Sequence, residues 1–157
     1  MDFYFLIMED EITRTTKAQL VVRILLGLFL LLAGISHLSF LRIAFLAQVP
    51  NWLPINPDKI VVISGFVEII LGSSLILLHK QQIIVGWIVA LFFIIVFPGN
   101  IAKLVNHKHS FGLNSDLLLW IRLPFQPLLI GLVLWCTGAL KRWRNKIKSK
   151  NQLMIYY

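Results

Sequence analysis

The 157-residue chain is 58% hydrophobic and only 14% charged, and its mean hydropathy of +0.81 sets it apart from water-soluble domains. A net charge of +8 does not point to nucleic acid, because six of the fifteen basic residues are Lys141, Arg142, Arg144, Lys146, Lys148 and Lys150, a cluster flanking an apolar block. Cys136 is the 1 cysteine of the chain, which excludes an intrachain disulfide and dithiol redox chemistry within it.

Residues 1–17 form an acidic segment, expected on the cytoplasmic side: the short apolar run Phe3 to Met8 is followed by Glu9, Asp10 and Glu11. That run lacks the basic leader and the length of a signal-peptide core, so no cleavage is expected, and Met8 is a second candidate start. The apolar blocks then predict an all-α, integral membrane four-helix antiparallel bundle over residues 18–140, with spans at about 18–40, 60–78, 83–102 and 117–140. Each block approaches the ~20 residues with which a helix crosses ~30 Å of hydrocarbon.

Between the first two spans, Pro50, Pro54 and Pro57 break helical structure, and Leu41 to Ala47 with Trp52 suits the membrane interface. The link His79 to Gln82 is short enough to make spans two and three antiparallel neighbours. Pro98-Gly99 is expected to kink or end span three, and Pro124 with Pro127 to bend the first half of span four. Residues 141–157 read as a solvated basic tail whose partner is the anionic headgroup layer of the bilayer.

An even number of spans places both termini on one side. Arg14, Lys17, Arg23, Lys80 and the tail cluster fall on that side, against Arg42, Lys59, Lys103 and Lys108 on the other. The excess predicts that both termini are cytoplasmic.

In lipid, helices associate through close backbone approach and buried polar contacts rather than through the hydrophobic effect. Gly27 and Gly34, Gly65 and Gly72, and Gly131 and Gly138 each stand two turns apart, so each pair is expected to mark a packing face, with Ile69 turned toward lipid. Ionisable groups at membrane depth usually face protein. Glu68 shares the Gly65–Gly72 face, and His37 follows Gly34 by three residues. With Asn100, Arg122 and Gln126 they form an expected polar cluster in the outer half of the bundle, in which Glu68 and Arg122 neutralise one another. Either this cluster fixes the packing, or it binds a quinone headgroup, a proton or another small ligand. His107 and His109 are too few for a metal site, and no resident cofactor motif or phosphate loop is present.

Several segments together resemble the DoxX family of bacterial four-helix membrane proteins: Arg23 to Gly27 through Ala33 to His37, Val49-Pro50 with Leu53-Pro54, Ser64 to Glu68 ending in Gly72, Val96 to Ile101, and Arg122 to Gln126. The resemblance covers roughly Ala18 to Leu140 and implies the four-helix fold and a link to quinone-dependent oxidoreductases, with a partner subunit supplying the redox centre. It assigns no reaction to the chain. A structural or assembly protein, and a small proton-coupled transporter with Glu68 as its titrating group, are the alternatives.

Overall fold

The computed structural model describes residues 15–39, 41–46, 49, 54–105 and 116–154. The acidic segment up to residue 14 and the loop carrying His107 and His109 lie outside them. Helix α1, Lys17–Leu38, starts on a capping box: Thr16 Oγ1 accepts from the Gln19 N–H, and Gln19 Oε1 accepts from the Thr16 N–H. A short α2, Arg42–Leu46, precedes α3, Pro57–Leu77. There Asn56 caps the helix by accepting from the Asp58 N–H, Pro57 supplies a preset φ, and Asp58 places negative charge in the first turn.

A 3-10 turn, His79–Gln81, leads into α4, Gln82–Val105. This helix runs through Pro98 and continues to Val105, so it does not end at Pro98-Gly99. A proline takes away one helical N–H, but in an apolar environment leaving the helix would strand many more backbone groups. Helix α5, Asp116–Cys136, likewise contains Pro124 and Pro127. The break comes later, at Thr137-Gly138, after which α6, Ala139–Met154, converts most of the expected basic tail into helix.

The described residues are helical, without strands. Three helices are long and apolar enough to cross a membrane: Lys17–Leu38, Pro57–Leu77 and His79–Gly99. The pair Pro124–Cys136 and Ala139–Lys148, bent by 74°, makes a fourth if counted as one span. Their outward surfaces carry Leu25, Leu32, Ile70, Ile84 and Ile95, all exposed, as hydrocarbon rather than water would allow.

The most extensive packing joins α1 to α3, followed by α4 to α5, whereas α3 and α4 touch far less despite their short link. Gly27 meets Gly72 and Gly34 meets Gly65, so α1 and α3 run in opposite directions. Phe93 with Gln126 and Gly86 with Thr137 show the same sense for α4 and α5. Leu30, Leu75, Val89 and Val133, one from each of these helices, are buried together in the core.

Candidate functional site

The site begins with the two glycine pairs. A Cβ on Gly34 would stand 2.5 Å from the Gly65 carbonyl oxygen, and one on Gly72 would stand 2.6 Å from that of Gly27. No side chain fits between these backbones. Ile69 belongs to the seam rather than the lipid face, since its Cγ1 would be 2.8 Å from a Cβ on Gly34. The expected role fails for the third pair. Gly131 is exposed, and among the described residues nothing lies within 4 Å of an added Cβ. Gly138 has left the helix, with φ 73°, and forms the break.

Above Gly34 and Gly65, the seam brings His37 and Glu68 together, each 8% exposed. In a helix the side chain leans toward the N-terminus, so Glu68 leans toward the end of the seam where α1 finishes. His37 Nδ1 lies 3.3 Å from Glu68 Oε2 and 3.2 Å from Ser64 Oγ. Ser64 Oγ also lies 2.9 Å from the Val61 carbonyl, so its one hydroxyl hydrogen has two possible acceptors, the Val61 carbonyl and His37 Nδ1. Glu68 Oε2 is buried with no aligned hydrogen-bond donor among the described residues. The ring of Phe45, on α2, stands edge-on to the His37 ring, centroids 3.6 Å apart, and shields it.

The remaining expected cluster members fall elsewhere or cannot be placed against this pair. Gln126 is buried and donates through Nε2 to the Phe93 carbonyl at 2.7 Å, joining α5 to α4. Asn100 and Arg122 lie within α4 and α5, and their side chains are outside the described ones. Among the described residues the neighbour of Glu68 is His37, and the expected pairing of Glu68 with Arg122 lies outside them.

Three features had no place in the sequence reading. Ser64 enters the site through its contact with His37. Arg23, 3% exposed, donates to Gln82 Oε1 at the opposite end of α1, and its Nε has no partner among the described residues. Its position four residues before Gly27 was the signal, since i and i+4 share a helix face. Beyond the seam, α2 is tied to the start of α3 by Arg42, whose Nε and Nη2 donate to Asp58 Oδ1 and Oδ2 at 2.7 and 2.5 Å. This bidentate pairing raises the Arg42 pKa further above its ordinary value. A separate, wholly apolar groove of about 320 Å³ lies between α1 and α5, lined by residues such as Phe29, Phe125 and Leu129.

Among known proteins, the family model described as Domain of unknown function (DUF8561) matches residues 26–137. The chain belongs to this family. No curated protein and no solved structure matches it. The DUF8561 match takes in both glycine pairs, His37, Ser64 and Glu68, and it stops at Thr137, where α5 breaks.

Proposed function

We propose that this DUF8561 protein is a DoxX-like multi-pass inner-membrane protein, built as an antiparallel four-helix bundle with both termini cytoplasmic, that serves as the membrane subunit of a quinone-linked oxidoreductase complex. Its pocket for a small ligand centres on His37 and Glu68 in the outward half of the seam.

One observation carries this reading: the buried Glu68 Oε2 beside His37, with no aligned donor among the described residues. A buried carboxylate oxygen in this state is an acceptor awaiting a donor. Neither His37 nor Ser64 gives Glu68 Oε2 an aligned donor, and a ligand hydroxyl is the complementary group. A quinone in its quinol form carries that hydroxyl on an apolar ring suited to the membrane. The chain itself contributes a binding site and a proton-accepting group, and a partner subunit contributes the redox centre.

The test is purification of the native complex in mild detergent, followed by solvent extraction and chromatography of bound quinone. Quinone should accompany the wild-type protein together with a redox subunit, and fall to background in Glu68→Gln and His37→Ala. Reporter fusions at both ends should read cytoplasmic, and one inserted between Asn51 and Lys59 should read external. Equal quinone content in wild type and both variants would overturn the assignment. A second reading, that the pair only locks α1 against α3, draws on its position directly above Gly34 and Gly65. It predicts no quinone in any sample but a lowered melting temperature in both variants.

A further inference from the structure

The direction of α6 is set by a buried elbow. Cys136, Thr137 and Ala139 are all 0% exposed, and Gly138 takes a left-handed conformation that lets its N–H reach the Trp135 carbonyl at 3.1 Å. Thr137 packs directly on Gly86 of α4, its hydroxyl donating to the Val133 carbonyl at 2.7 Å. Gln19 of α1 donates to the Trp135 carbonyl at 2.7 Å. The turn is therefore anchored on α1, α4 and α5 together, and α6 leaves it at 74° to the last turns of α5. A helix at that angle to a membrane-crossing one runs along the membrane surface.

Its sequence is built for such a position. Leu140, Trp143 and Ile147, at i, i+3 and i+7, form one stripe, with Trp143 and Ile147 largely exposed. Lys141, Arg144 and Lys148 flank it on one side and Arg142 and Lys146 on the other, all exposed, and no acidic residue occurs from Ala139 to Met154. A stripe holding a tryptophan between two rows of cations matches the boundary of a bilayer with negatively charged headgroups. It does not match open water, where the stripe would stay uncovered.

We infer that α6 is an in-plane helix that docks on the leaflet at its end of the bundle and selects anionic phospholipid there, its apolar stripe in the acyl boundary and its two cationic rows on lipid phosphates. The elbow holds it at that level before any lipid binds, so the docked geometry is preformed. This inference is independent of the ligand proposed at His37 and Glu68.

The experiment is amide hydrogen exchange on the full chain in lipid nanodiscs made of phosphatidylcholine alone or with phosphatidylglycerol. Each lysine or arginine near a charged surface favours binding about fivefold, so α6 amides should exchange at least about tenfold more slowly in the phosphatidylglycerol discs. That difference should vanish in a variant combining Arg142→Gln, Arg144→Gln, Lys146→Gln and Lys148→Gln, and shrink in 0.5 M salt, on the order of a Debye length of a few ångströms. Unchanged slow exchange in α1, α3 and α4 shows that the variant has kept its fold. Fast exchange of α6 in both membranes would return it to a solvated tail and overturn the inference. Equal protection in both would leave the stripe docked but overturn the selection of anionic lipid, as would protection by a short RNA in phosphatidylcholine discs where phosphatidylglycerol gives none.

Discussion

The α1–α3 seam and the face of α5 that carries Gly131 use glycine at the same seven-residue spacing and reach opposite ends. In the seam, Gly27 and Gly34 are met by Gly72 and Gly65, and the backbones approach until no Cβ fits. On α5, Gly131 meets nothing among the described residues and Gly138 ends the helix. A spaced glycine pair is therefore half of a device; it becomes a packing face only when the facing helix brings a matching pair in register. Helix α4 offers α5 Gly86, and the residue that uses it is Thr137 rather than another glycine.

The sharpest way to break this comparison is to fill both places with the same side chain. Gly34→Leu should destabilise the protein in detergent by at least about 3 kcal/mol, because the neighbouring atom is backbone and has nowhere to go. Gly131→Leu should leave the melting temperature unchanged or slightly raised through gained helix propensity. Similar losses from both would remove the distinction. The next effect is at the polar end of the seam: Glu68→Ala and His37→Ala should each lose about 2 to 3 kcal/mol as a buried polar group is left without its neighbour. Their double mutant should lose less than the sum by about 1 kcal/mol, read as a thermal-stability cycle. Additive losses would mean that the 3.3 Å approach contributes nothing.

Thr137→Val tests the α5 side, where a near-isosteric change keeps the contact with Gly86 and removes one internal hydrogen bond. A loss of about 1 kcal/mol is expected, smaller than any change in the seam. The smallest effect should come from Arg42→Gln, whose ion pair with Asp58 is substantially exposed and screened by salt. A change in melting temperature that disappears in high salt is the expected result.

Long apolar runs made the helices legible from sequence alone: starts expected at about residues 18 and 60 lie within a few residues of Lys17 and Pro57, where the structure shows Thr16 and Asn56 as caps. Glycine spacing located the face shared by His37 and Glu68 because three- and four-residue steps fix side-chain direction on a regular helix. The same reasoning failed where helix phase was interrupted. Prolines in α5 obscured which way Gly131 and Gln126 point, and only the fold shows Gln126 bound to the α4 backbone. Pairing across helices was harder still, since Arg23 with Gln82 and Gly86 with Thr137 join residues about fifty to sixty positions apart, and no local pattern encodes that partnership.

The clasp between Arg42 and Asp58 has a consequence for the covalent chain. It spans 16 residues, and beyond it lies the whole glycine seam, so the two sides of the intervening segment are held together twice over without the peptide that links them. Continuity of the backbone there is therefore expected to be dispensable for the finished molecule. A chain cut between Val49 and Ile55, or made as two polypeptides and co-expressed, is expected to reassemble into a single complex and to stay joined through purification.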